Sequence, residues 1–264
     1  MYETSYKRPG SVDEAVKMMG EADAGKYVAG GQTLIPTMKQ RLASPDVLID
    51  LRHIAALKGI AVNGKSVKIG AGATHAEVAG SAELKAVCPA ICHLAGHIGD
   101  PHVRHMGTIG GSISNNDPAA DYPSAMLALG ATIHTDKREI AADDFFTGMF
   151  ETALDDGEIV TAVSFTAPDR CGYAKFPNPA SRYAMAGVFV AKGGDGVRVA
   201  VTGAGSDGVF RWDAAESALA SDFSASALDG LSVDADDMLS DLHGTGEYRA
   251  NLVKVMAKRA VAAA

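Results

Sequence analysis

Along this chain the apolar positions recur with helical spacing in some stretches and as short continuous runs in others, and each change of pattern marks an element. Ser11-Val12-Asp13-Glu14 combines a capping serine with early acids, so a helix is expected to start there and run through Met19. Lys26-Tyr27-Val28-Ala29 reads as a short strand ending at a glycine pair, and Thr37 to Leu42 as a helical turn stopped before Pro45. Val47-Leu48-Ile49-Asp50-Leu51 and Val67 to Gly70 are strands, the first of the buried type. Thr74-His75-Ala76-Glu77 has the form of a capping box at a helix start. Further helices are expected from Pro89 to Ile98 and from Tyr122 to Leu129, and strands from Ala131 to Thr135 and from Ile159 to Phe165. Val188 to Ala191 and Val197 to Val201 flank Gly193-Gly194-Asp195-Gly196 as a hairpin. Tyr248 to Ala262 forms a closing helix whose Lys258 and Arg259 suit the negative end of the helix dipole.

This mixture predicts an α+β protein. A two-part unit of mixed sheets and helices, residues 1–60 and 61–170, is followed by a C-terminal domain, 171–264, with an antiparallel sheet and helices. The 264 residues, 47% hydrophobic and 21% charged, are ordinary for a globular chain of two or three small domains. No apolar run approaches the roughly 18 residues that span a bilayer. Met1 to Gly10 is polar and lacks a signal-peptide core, so a cytoplasmic location is expected. A net charge of −8 without a basic patch argues against nucleic acid as the main partner. Acidic residues thicken from Asp207 to Glu247, where Arg211 is the only Lys or Arg, and a solvated surface is expected there. Cys88, Cys92 and Cys171 are odd in number, which argues against a disulfide framework, and they fall short of the four thiolates that usually hold an iron–sulfur cluster. Redox chemistry on this chain would need an organic cofactor.

The candidate chemistry lies in two glycine-rich stretches, Ala29-Gly30-Gly31-Gln32-Thr33-Leu34 and Thr108-Ile109-Gly110-Gly111. Paired glycines permit positive φ and close backbone approach, and consecutive amides in such turns can cradle anions. Two such turns meeting in space could hold the two phosphates of a dinucleotide such as FAD. The run from Ser112 to Asp121 is rich in hydroxyls, amides and carboxylates suited to a ribityl chain or ribose. Two further signals are weaker. Gly203-Ala204-Gly205-Ser206-Asp207-Gly208 matches GxGxxG after a strand, but too little chain follows for a doubly wound domain, and Asp229 sits in a turn. His93 and His97 have a metal-capable spacing, with His102 and His105 nearby, but no partner ligand stands out. No metal site is assigned.

Ala-Gly-Gly-Gln-Thr-Leu-Ile-Pro, then Gly-Thr-Ile-Gly-Gly, then Asp-Pro-Ala-Ala-Asp resembles the FAD-binding medium subunit of molybdenum hydroxylases, most of all the carbon monoxide dehydrogenase type. The resemblance spans nearly the whole chain. It implies that residues 1–170 bind FAD, and that Ala29 to Leu34, with Val28 before them, and Thr108, Ile109, Gly110 and Gly111 wrap its pyrophosphate. It further implies that Asp121 hydrogen-bonds the cofactor with Ser114 and Asn115 nearby, and that Lys175 and Tyr183 belong to a loop approaching the isoalloxazine ring. The implied partners are a molybdopterin-binding large subunit and a [2Fe–2S] small subunit in a dimer of heterotrimers. Electrons would pass from the clusters to FAD and on to an external acceptor. Gln32-Thr33 replaces a His-Ser pair of some relatives, and its amide and hydroxyl can still donate; Phe176 to Arg182 differs from the carbon monoxide type's loop, with Arg182 where that type has Asp, so the substrate is left open. Two other readings are a self-contained FAD-dependent reductase using NAD(P)H and a cofactor-free interaction subunit.

Overall fold

The computed structural model describes residues 1–264. Its first part contains β1 (Ser5–Lys7), α1 (Val12–Gly20), β2 (Gly25–Val28), α2 (Leu34–Lys39) and β3 (Val47–Asp50). The strands form a parallel sheet in the order β1-β3-β2. Central β3 is buried throughout, as its apolar run requires. Ser11 caps α1 by accepting the Glu14 N–H. Helix α2 starts at Leu34, directly after the first glycine turn, and not at Thr37 as the sequence suggested. Pro36 is tolerated because the N–H it lacks would be unpaired in a first turn anyway.

The middle part runs β4 (Ile60–Asn63), β5 (Ser66–Gly70), α3 (His75–Gly80), α4 (Ala82–Val87), α5 (Pro89–Gly96), α6 (Pro101–Met106), α7 (Ile109–Asn115) and α8 (Tyr122–Ala128). It continues with β6 (Thr132–Thr135), β7 (Glu139–Ala141), α9 (Ala142–Phe145), β8 (Phe146–Gly148), β9 (Glu151–Thr152) and β10 (Val160–Thr166). A five-stranded sheet has the order β4-β5-β10-β6-β7, with all pairs antiparallel. Strand β10 is its centre, pairing Ala162 with Gly70 on one side and Val163 with Ile133 on the other. The capping box is formed: Thr74 takes the Glu77 N–H, and Glu77 takes the Thr74 N–H. The second glycine stretch proves to be helical. Thr108 is the N-cap of α7, and Gly110 and Gly111 lie in its first turn. Sequence pattern hid this helix because glycine and serine favour turns by propensity.

The last part comprises β11 (Arg170–Pro177), β12 (Ala184–Gly193), β13 (Gly196–Thr202), β14 (Phe210–Arg211), α10 (Asp213–Ser221) and α11 (Gly246–Ala262). Its strands form an antiparallel sheet in chain order. Tyr173, Phe189 and Ala200 face a 34-residue core shared with α5 and α8, whereas Val188, Val190 and Val199 face a 20-residue core under α10 and α11. Covered on both faces, β12 is buried from Ala184 to Ala191. Helix α11 approaches so closely that a Cβ on Gly172 would lie 1.9 Å from Ala260 O. The GxGxxG stretch does not open a helix. It leads into β14, and Asp229 follows a 3-10 turn and pairs with Lys258, so the nicotinamide fingerprint lacks its context. Cys88, Cys92 and Cys171 are free and buried, with the Cys88 and Cys171 sulfurs 3.7 Å apart. No helix is long and apolar enough to cross a membrane.

Candidate cofactor site

The two glycine stretches meet. A Cβ on Gly30 would lie 2.1 Å from Met106 O and 2.6 Å from Gly107 Cα, so the first turn rests on the segment leading into the second. A Cβ on Gly110 would lie 2.5 Å from Ala71 Cβ and 2.8 Å from Ala71 O. Gly31 has φ +69°, which side-chain-bearing residues rarely adopt. An antiparallel bridge between Thr74 and Thr108, with the His75 N–H donating to Gly107 O at 2.9 Å, fixes the second turn against α3.

A cavity of about 1120 Å³ opens between these segments. Val28, Ala29, Gly30, Gly31, Gln32, Thr33 and Leu34 line it, with Thr108, Gly110, Gly111, Ser114, Asn115, Asp121 and Tyr183. Ile109 does not: it is fully buried in the core. Lys175 does not either. It lies on β11, not in a loop, and its ammonium is buried beside Asp121, 2.9 Å from Oδ1 and 3.1 Å from Oδ2. That strand escaped the sequence reading because Gly172 and Lys175 interrupt its apolar pattern.

The turns differ in what their amides offer. At the second, the N–H groups of Ile109, Gly110, Gly111 and Ser112 donate to Ala73 O, Ala71 O, Thr108 Oγ1 and Thr108 O. Gly110 there serves close packing against Ala71. At the first, the N–H groups from Gly30 to Leu34 have no partner in the chain. The side chains of Ser114 and Asn115 are likewise free of hydrogen bonds within the protein. Unspent amides, unspent polar side chains and a cavity of this size lined by both glycine stretches fit a dinucleotide with an anionic centre.

The cavity also has residues that the motif reading missed: Lys26, Arg52, Lys58, His75 and Arg182. Arg52 follows the carboxyl end of β3, the edge at which open parallel sheets bind ligands, and that placement was the available signal. Its guanidinium grips the fully buried Asp50 through Nε at 2.9 Å and Nη2 at 2.8 Å, and Tyr6 donates its hydroxyl to the same carboxylate. Burial works to raise the Asp50 pKa, but these hydrogen bonds prevail and bring it from 3.8 to about 2. At Glu158 burial is likewise overcome by hydrogen bonds from Arg138, Thr135 and the Asp155 N–H, with a fall from 4.5 to about 2. Both carboxylates therefore stabilise the fold fully above their unfolded values, and that contribution is lost as pH falls through about 2. Urea unfolding from pH 7 to pH 2 should show stability dropping below pH 4.5, with a shallower drop in Asp50→Asn. His75 is held down to about 4 by burial and by Arg104, so it is neutral at neutral pH, and its Nδ1 has no partner. His93 and His97 stack with ring centroids 4.2 Å apart.

The family described as the FAD binding domain in molybdopterin dehydrogenase matches residues 2–168, and this chain belongs to it. It is an FAD-binding medium subunit of the molybdenum hydroxylases, a class of oxidoreductases. Among similar proteins, the carbon monoxide dehydrogenase medium chain of Afipia carboxidovorans is 35% identical over 97% of this chain and 94% of its own length. The nicotine 6-hydroxylase medium subunit of Paenarthrobacter nicotinovorans is 33% identical over 97% and 95%. The reconstituted CO dehydrogenase from Oligotropha carboxidovorans superposes with a TM-score of 0.89 at 34% identity, covering 100% of this chain and 99% of that one.

Proposed function

We propose that this chain is the electron-relaying flavoprotein subunit of a cytoplasmic molybdenum hydroxylase, assembled with a molybdopterin-binding large subunit and a [2Fe–2S] small subunit as a dimer of heterotrimers. Bound FAD supplies the redox chemistry, taking electrons from the partner's clusters and passing them to an external acceptor. The observation that carries the reading is the junction of both glycine stretches on one cavity. In this reading the N–H groups from Gly30 to Leu34 bind the pyrophosphate. Gly110 and Gly111 act by clearance, and Ser114, Asn115, Asp121 and Tyr183 meet the rest of the cofactor. Residues 1–60 and 61–170 clasp it, and the 178–183 hairpin of the third unit, 171–264, closes one side. Substrate oxidation occurs on another chain.

The test is a visible spectrum of the complex purified gently from its native host. Flavin bands overlapping iron–sulfur absorbance are expected. A complex without flavin removes the reading, and reduction of flavin on the lone chain by NAD(P)H replaces it with the self-contained reductase.

A further inference from the structure

The 117–121 loop carries Asp121 to the cavity wall, yet the groups that hold this loop come from the C-terminal sheet. Thr202, fully buried at the end of β13, donates its hydroxyl to Ala120 O at 2.6 Å and lies 3.2 Å from Pro118 O. The next amide, Gly203 N–H, donates to Pro118 O at 2.8 Å. On β11, the buried Tyr173 hydroxyl donates to Asp121 Oδ1, and the Lys175 ammonium lies against both oxygens of that carboxylate. These side chains share one sheet face. Lys175, Gly187 and Thr202 form a single cross-strand row in register, and Tyr173 stands two residues from Lys175. Gly187 at the centre of the row leaves room for its neighbours. A Cβ there would lie 2.7 Å from the Tyr173 hydroxyl and 3.0 Å from Thr202 Cγ2.

We propose that Tyr173 and Thr202, with Gly187 as their clearance, are positioning residues of the cofactor site. They form a polar platform that sets the 117–121 loop and the orientation of the Asp121 carboxylate. The platform rests on the reading that the cavity holds FAD. It lies beyond residue 168, where the family match ends, so the third part of the chain is a functional part of the site. Burial raises the Asp121 pKa, while Lys175 and Tyr173 oppose the rise. Other titratable groups near this carboxylate are His97 after α5, Tyr122 on α8 and Tyr183 in the hairpin.

The experiment removes FAD from the purified complex and measures rebinding of added FAD between pH 5.5 and 8.5. Tyr173→Phe and Thr202→Val change shape little. Each should raise the FAD Kd about tenfold, the scale of one lost hydrogen bond to a buried site, and should lower Tm as well, since a buried acceptor loses its donor. Tyr173→Phe should also move the pH midpoint of FAD affinity upward, because Asp121 loses a donor to its ionised form; a merely structural role would not. Gly187→Ala should weaken FAD binding at least as much as either. Wild-type Kd and wild-type pH profile in Tyr173→Phe and Thr202→Val would overturn the platform while leaving the cofactor reading intact. A purified wild-type complex that carries no FAD to remove would overturn both.

Discussion

Gly30→Ala should strip FAD from the complex. The added methyl would meet Met106 O at 2.1 Å and Gly107 Cα at 2.6 Å, and both are backbone atoms held by α6 and by the Thr74–Thr108 bridge. No rotamer change relieves such contacts, so the first turn must move off the second. Overpacking costs about 1–3 kcal/mol even where neighbours can shift. If the displaced turn carries that cost into binding, FAD affinity falls roughly tenfold to a hundredfold, at about 1.4 kcal/mol per factor of ten. The measurement is FAD per complex after extensive dialysis. Gly80→Ala is the control. That glycine is helical with nothing within 4 Å of a new Cβ, and alanine there should keep full FAD content. Full FAD content in Gly30→Ala would mean that the contact between the turns is dispensable.

Lys175→Met should be the most damaging single change to stability. It leaves Asp121 nearly solvent-free with Tyr173 as its remaining strong partner. Removing one member of a buried ion pair costs about 3–5 kcal/mol. Part of that cost is avoided if Asp121 takes up a proton, because burial already pushes its carboxyl above the ordinary range and the counter-charge is gone. The sign follows. With a folded pKa above the unfolded one, the variant gains stability as pH falls toward the unfolded value and loses it as pH rises. Urea unfolding should therefore show a larger deficit at pH 8 than at pH 5.5. A deficit independent of pH would show that Lys175 acts through packing alone. The double variant Asp121→Asn/Lys175→Met should recover part of the loss, since it buries no charge.

Much of the site could be read from the chain, and the parts that could not share a cause. The glycine stretches, the Thr74–Glu77 capping box and the α1 start depend on interactions within a few residues, which spacing exposes. Gly30 and Gly110 are required by contacts with Met106 and Ala71, distant in sequence, so the reading identified the glycines but not the contacts that require them. Whether an N–H is already spent is a tertiary fact: Ala71 O and Ala73 O take those of Gly110 and Ile109. The row Lys175–Gly187–Thr202 was illegible for the same reason, since only the strand register places these residues side by side.

The central position of β10 dictates an order of events during synthesis. Neither β5 nor β6 has its main partner until residues 160–166 are available, although β5 precedes them by most of the middle part. Pairing across such separations is slow because loop closure must precede the contacts that reward it. Residues 71–159, including the second glycine stretch and the Asp121 loop, thus lie between β5 and β10 of a sheet that can be completed only once residues 160–166 have been made. The loop then waits for Thr202. A nascent chain is therefore expected to capture its flavin near the end of translation, which would couple cofactor loading to completion of the polypeptide.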